Sequence, residues 1–311
     1  MTADHWRAVV LATAKTFRIV SVRFLTAFVV TALCVPGLGA AQATRSVAPV
    51  GEVRSLSTET ALAPAPDQEA TTSEENVQLT REAAEYGVAV AQYVLGAMYA
   101  SGRGVAQDDT LAAQWYRRAA DQGDSRAEHN LALMYTTGRG VQQDDAEAVR
   151  WFRRAADQGV PEAQNNLAAM YARGRGVPRD DLEAVQWYRK AVEQGSPQAQ
   201  HSLGQMYAAG EGVPFDMGEA VRFNRLAAEQ GHRSAQNTMG LFYEAGRGVA
   251  QDDVEAYKWH ELAVSGSTGD RQKEFAEVRD ALAKQMNSQQ LAEAQKRAAD
   301  WQAAFEKRQA E

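Results

Sequence analysis

Four acidic pairs, Asp108-Asp109, Asp144-Asp145, Asp180-Asp181 and Asp252-Asp253, are the residues here whose type and spacing could hold a metal ion or do acid–base work. A structural role competes with that chemistry. The first aspartate of each pair could cap a helix, and the second could sit in its first turn, where the helix dipole favours negative charge. Asp216-Met217 stands in the same phase, keeps the first acid and loses the second, which favours capping. His260-Glu261 opens like a zinc-protease helix, but position 264 is Val264 rather than a second histidine. His129 and His201 share a phase but lie two periods apart, too far to share a zinc at ligand distances of about 2 Å. Gly-x-Gly-Val turns recur without the third glycine or the preceding strand of a dinucleotide loop. No Ser-x-x-Lys or Gly-x-Ser-x-Gly occurs. The expectation is no catalytic residue, no metal site and no cofactor.

These residues belong to elements that repeat. Ala91, Ala127, Ala163, Ala199 and Ala235 are 36 residues apart, and Tyr99, Tyr135, Tyr171, Tyr207 and Tyr243 keep the same step. So do the Gly-x-Gly pairs from Gly102/Gly104 to Gly246/Gly248, and Trp115, Trp151, Trp187, Phe223 and Trp259. Five registers without an insertion define a repeat array. Within a unit, Ala91, Leu95, Met98 and Tyr99 form one helical stripe, and Ala112, Trp115, Tyr116 and Ala119 form a second. The glycines between them allow a turn with positive φ. Asp144, Asp180, Asp216 and Asp252 have a glutamate three residues on, an aspartate version of the capping box. Pro161 and Pro197 stand at expected N1 positions. One such hairpin cannot bury both stripes, but stacked hairpins can.

The reading is an all-α, right-handed α-solenoid. Its parts are a partial capping repeat at 76–90, repeats at 91–126, 127–162, 163–198, 199–234 and 235–270, and capping helices at 271–311. The phase is expected to slip by one at Gly266. Phe275, Val278, Leu282 and Met286 form one terminal stripe, and a last helix starts near Asn287 with Gln290 at the capping-box position.

Residues 44–75, rich in Ala, Pro, Ser and Thr, read as a disordered tether. Residues 1–43 read as a signal peptide. Arg18 and Arg23 precede an apolar core from Phe24 to Cys34, and Ala41-Gln42-Ala43 is a candidate cleavage site. The core is shorter than the ~20 residues of a membrane span, so a periplasmic or secreted protein is expected; the alternative is an uncleaved inner-membrane anchor. Leu33 before Cys34 argues against a lipoprotein box. Residues 44–311 carry 29 Lys and Arg against 39 Asp and Glu. That acidic balance excludes nucleic acid as the expected partner. Cys34 is the single cysteine, so no disulfide or thiolate metal site is expected beyond it.

The run Ala-x3-Leu-x2-Met-Tyr-x2-Gly-x-Gly-Val-x2-Asp-x3-Ala-x2-Trp-Tyr-x2-Ala-Ala-x-Gln-Gly, from Ala91 to Gly123, resembles the Sel-one-like repeat (SLR) family, a cousin of the tetratricopeptide repeat. The resemblance spans about 80–270. It implies an adaptor, since relatives act as envelope regulators, secreted virulence-associated proteins and scaffolds in endoplasmic-reticulum degradation. A cysteine-rich branch is associated with penicillin binding and β-lactamase activity; its paired cysteines are missing here.

Positions that vary within the fixed frame are the candidate binding residues. One register reads Tyr93, His129, Asn165, His201, Asn237, and the next turn reads Ala97, Leu133, Ala169, Gln205, Leu241. If first helices line the concave side, as in tetratricopeptide arrays, this strip is a groove for a peptide or partner helix. The alternative is free variation on a solvated face. The expected function is an exported scaffold that binds cell-envelope proteins. A cell-wall or β-lactam enzyme or inhibitor is the alternative, implied by the family alone.

Overall fold

The protein is described by a computed structural model covering residues 66–310. The expected signal peptide and residues 44–65 of the expected tether lie outside the described residues. Among the described residues there are thirteen α-helices and no strands. They are α1 (Pro66–Glu85), α2 (Ala89–Ser101), α3 (Asp109–Asp121), α4 (Ser125–Thr137), α5 (Asp145–Asp157), α6 (Pro161–Arg173) and α7 (Asp181–Glu193). Then come α8 (Pro197–Ala209), α9 (Met217–Glu229), α10 (Arg233–Ala245), α11 (Asp253–Ser265), α12 (Gly269–Ala283) and α13 (Ser288–Ala310). From α1 to α12 each helix packs on the next, and α13 packs back on α11.

Three boundaries differ from the sequence reading. α1 begins at Pro66, inside the stretch read as a tether; proline suits a first turn because it has no N–H to leave unpaired. Units begin at Ala89, Ser125, Pro161, Pro197 and Arg233, two residues before the alanines that mark the phase. The phase does not slip at Gly266. α12 starts at Gly269, one full period after Arg233, and Phe275 is buried in the position of Leu95, Leu131, Leu167, Leu203 and Met239. The slip comes at Asn287. There Asn287 and Gln290 form a reciprocal capping box, with bonds of 2.9 and 3.0 Å.

The core is the row of first-helix leucines interleaved with alanines. Leu95, Leu131, Leu167 and Leu203 are fully buried, each contributing roughly 2 kcal/mol. Alanines 91, 127, 163, 199 and 235 show no exposure, so the backbones approach closely there. Every second helix of a unit is capped by its aspartate: Asp108 accepts from Leu111 N–H, Asp180 from Glu183 N–H and Asp216 from Glu219 N–H. The return half of the capping box is absent. The Asp144 N–H already donates to the Tyr135 carbonyl at 3.0 Å, and the other four cap aspartates repeat this bond. The glutamates turn outward, as Glu147 does to Arg150 and Glu219 to Arg222.

Three ladders join one unit to the next. Gln164 Nε2 donates to the Ala156 carbonyl in the preceding second helix at 3.2 Å, while its Oε1 accepts from Gln194 at 2.8 Å. Arg153, Arg189 and Arg225 each donate to the hydroxyl of a tyrosine in the following unit, namely Tyr171, Tyr207 and Tyr243. In two pairs the second acid reaches forward as well, with Asp109 to Arg139 at 2.6 Å and Asp145 to Arg175 at 2.7 Å. Where Glu211 replaces that arginine, Arg179 bridges Asp181 and Glu211, at 2.9 Å to each. The first three acidic pairs are thus cap plus inter-unit tie, and in the fourth Asp252 caps while Asp253 stands in the first turn. At the turn, Gly176 has φ 69°, and a side chain there would meet the Asp145 carbonyl at 2.2 Å.

Candidate functional site

The candidate residues lie on the first helices α2, α4, α6, α8 and α10. Tyr93, Ala97, His129, Asn165, Ala169 and Asn237 are half-buried, and Leu133, Gln205 and Leu241 are exposed. One position further on, Val94, Asn130, Asn166, Ser202 and Thr238 share the strip and are half-buried. No charged side chain stands in these three registers of the five units, although the chain holds 73. The strip is neutral.

His201 is a correction. It is 6% exposed and belongs to the core rather than to an open groove. Its Nδ1 lies 2.8 Å from Asn224 Oδ1, and Asn224 Nδ2 donates to the Ala220 carbonyl at 2.8 Å. His201 Nε2 meets Gln205 Nε2 at 3.0 Å. These bonds fix the ring as a neutral Nδ1–H tautomer. Gly204 makes the room, since a Cβ there would stand 2.4 Å from the Asn224 amide.

The cause lies in a second register that the sequence reading did not pair with the first. Tyr116, Phe152, Tyr188, Asn224 and His260 occupy one position of the second helices, 23 residues after the first-helix register, and four of the five pairs meet. In the first unit Tyr93 packs on Tyr116 with ring centroids 5.9 Å apart, and in the second His129 packs on Phe152 at 5.7 Å. In the fourth unit the pair is His201 with Asn224. In the fifth it is inverted: Asn237 Oδ1 lies 2.8 Å from His260 Nδ1. Aligning both registers would have shown this exchange from sequence alone.

Burial sets the electrostatics. His129 and His201 are pushed below the usual histidine range by desolvation. His260 falls to about 4 for the same reason, and His232 to about 4 by desolvation with added repulsion from His201 and Arg271. His232 caps α10: Nδ1 accepts from Ala235 N–H at 3.2 Å and Nε2 donates to Gln198 Oε1 at 2.7 Å. All four are neutral at pH 7 and serve packing or capping. Among the described residues no three His, Cys, Asp or Glu side chains converge as a metal set, and no helix is long and apolar enough to cross a membrane.

Stacked hairpins of equal length with a neutral, variable strip along the first helices define a repeat solenoid of the protein-interaction class. The chain belongs to the Sel1 repeat family, whose model matches residues 89–124, 125–160, 161–196, 197–232 and 233–267. The fold is similar to that of a Sel1 repeat protein from Oxalobacter formigenes, at 32% identity and a TM-score of 0.60, over 64% of this chain and 80% of that one. It is similar also to a protective antigen of uropathogenic Escherichia coli that displays an SLR fold, at 34% identity and a TM-score of 0.59. That match covers 75% of this chain and 56% of the antigen, so the chain spans little more than half of the antigen's length. No curated protein matches. Proteins of the Sel1 repeat family generally bind other proteins and are typically non-enzymatic scaffolds.

Proposed function

We propose that this protein is an exported scaffold that holds a cell-envelope protein along its first-helix strip. The neutral strip carries the reading. On an otherwise strongly charged surface, three registers free of charge across five units suit a partner segment that brings apolar and main-chain polar groups rather than charge. The export half of the proposal rests on the Arg18–Ala43 segment, with its basic flank, apolar core and Ala-x-Ala end.

Proximity labelling in the native cell tests both halves. The full chain is compared with a variant carrying Leu133→Ser and Leu241→Ser, both exposed on the strip. A small set of envelope proteins marked only by the unaltered strip supports the scaffold. Equal marking by both chains would exclude the strip, and cytoplasmic partners would exclude export.

A further inference from the structure

The first junction of the stack departs from the others in its charges. α1 takes the place of a second helix in front of the first unit. Gln92 Nε2 donates to the Ala84 carbonyl at 3.0 Å, as Gln164 does to Ala156 two units on. Val77 lies against Gly104 as Val221 lies against Gly248, where an added Cβ would stand 2.8 and 3.0 Å from the two valines. The 36-residue register therefore holds through α1, and Arg81 is the counterpart of Arg117, Arg153, Arg189 and Arg225.

Those four arginines each donate to a tyrosine hydroxyl of the next unit, at Tyr135, Tyr171, Tyr207 and Tyr243. The second helix of that unit then carries a glutamate at its third position, Glu147, Glu183, Glu219 or Glu255. At one junction the two charges meet, with Arg153 3.9 Å from Glu183. At the first junction Leu111 stands in the place of the glutamate. Neither Arg81 nor the Tyr99 hydroxyl has a hydrogen-bond or ion-pair partner among the described residues.

Arg81, Tyr99 and Leu111 line one concavity of about 410 Å³, walled further by Val77, Val105 and Asp108. Its counterpart one period on, of about 460 Å³, is lined by Tyr135, Val141, Asp144 and Glu147. The second concavity holds a carboxylate of the chain's own, and its arginine is bonded to Tyr135. The first presents the arginine and lacks that carboxylate. The cap aspartate is common to both, and Asp108 Oδ1 is committed to the Leu111 N–H at 2.9 Å. Arg81, Tyr99 and Leu111 are half-buried, which strengthens a charge contact relative to an open surface.

We propose that the first junction binds a carboxylate of a partner protein, in the place that the chain's own glutamate fills in later units. Arg81 offers its planar guanidinium for a two-pronged contact, and the Tyr99 hydroxyl donates beside it. Leu111, Val77 and Val105 give the bound acid an aliphatic wall, so a carboxylate next to a leucine or valine side chain fits. Its source is a chain terminus or an acidic side chain. None of these residues belongs to the first-helix strip, so the site does not rest on the scaffold reading.

Nuclear magnetic resonance of the arginine Nε–H groups in the full chain tests the site, with Arg81→Gln assigning the Arg81 signal. Three probes are titrated: acetyl-valyl-leucine with a free terminus, its C-terminal amide, and acetyl-leucyl-glutamyl-leucine amide, whose only carboxylate is a side chain. Arg247 is the internal reference, since it is exposed and Met217 stands where Arg139 and Arg175 find their aspartates. Saturable millimolar shifts at Arg81 are expected with at least one acid and not with the amide, and the acid that binds names the source. Leu111→Glu copies units two to five and should weaken binding by about tenfold, because a tethered carboxylate competes. Equal shifts from the amide and the acids would overturn the site. So would an Arg81 response no tighter than that of Arg247, or binding unchanged in Leu111→Glu.

Discussion

Glu128 and Arg154 form a pair that takes over a job done by glutamine in the neighbouring units. Arg154 Nη2 lies 2.8 Å from Glu128 Oε1 and donates to the Ala120 carbonyl at 2.7 Å. Gln92, Gln164 and Gln236 donate to the equivalent carbonyls themselves. A carboxylate cannot donate, so the guanidinium supplies the missing N–H and the opposing charge. Burial raises the Glu128 pKa, against the pull of Arg154. Arg154→Ala leaves a buried carboxylate and an unpaired carbonyl. A loss of about 2–3 kcal/mol is expected, less than for a fully buried pair because Arg154 is half exposed. In a Glu128→Gln background the same change should cost under ~1 kcal/mol, as glutamine restores the donor. Urea unfolding of the double-mutant cycle measures the difference; equal costs in both backgrounds would refute the exchange.

The one-sided cap makes a second distinction. Asp180→Ala removes the acceptor of the Glu183 N–H and should cost ~1 kcal/mol. Glu183→Ala should cost less, because the Asp180 N–H is held by the Tyr171 carbonyl and Glu183 serves only Trp187 and, at 3.9 Å, a half-exposed Arg153. Thermal unfolding of both variants decides. A larger loss at Glu183 would point to a reciprocal box in solution.

The buried histidines predict a stability that depends on pH. Each is neutral in the fold, with its pKa lowered by burial, so below about pH 6.5 the unfolded chain binds protons that the native chain does not. Stability is full above that pH and falls as the solution is acidified. For His232 and His260 the loss continues to about pH 4, where the folded rings also protonate. Each contributes a slope of up to ~1.4 kcal/mol per pH unit. The urea midpoint measured from pH 7.5 to 4.5 should drop, and His260→Asn should flatten the curve. A midpoint that rises on acidification would contradict the buried neutral rings.

A fourth prediction concerns the cap. Arg225 donates to Tyr243, but one period on the partners are Glu261 and Arg279, 3.0 Å apart. Glu261→Arg alone places like charges together, and a loss of ~1 kcal/mol is expected; adding Arg279→Tyr should restore most of it. Differential scanning calorimetry of the single and double variants measures the recovery.

How much was legible follows from which interactions are local. The period, the helix pairs, the aspartate caps, the positive-φ glycines and the Asn287–Gln290 box depend on residues within a few positions of one another. Sequence spacing reports them directly. The missing return bond of the capping box was not legible, because the Asp144 N–H is taken by Tyr135 from a turn away. Nor was the fate of Asp109 and Asp145, whose partners stand 30 residues on in the next unit.

The sequence by itself determined that this chain stacks helix hairpins every 36 residues and which first-helix positions are free to vary. Only the tertiary structure decided which of those positions remain open. His129 and His201 are the same residue in the same register, yet His129 packs on Phe152 while His201 turns inward to Asn224. Helical periodicity gives the direction of a side chain. Whether that direction leads to solvent or core depends on the size and polarity of the residue that the next helix places opposite.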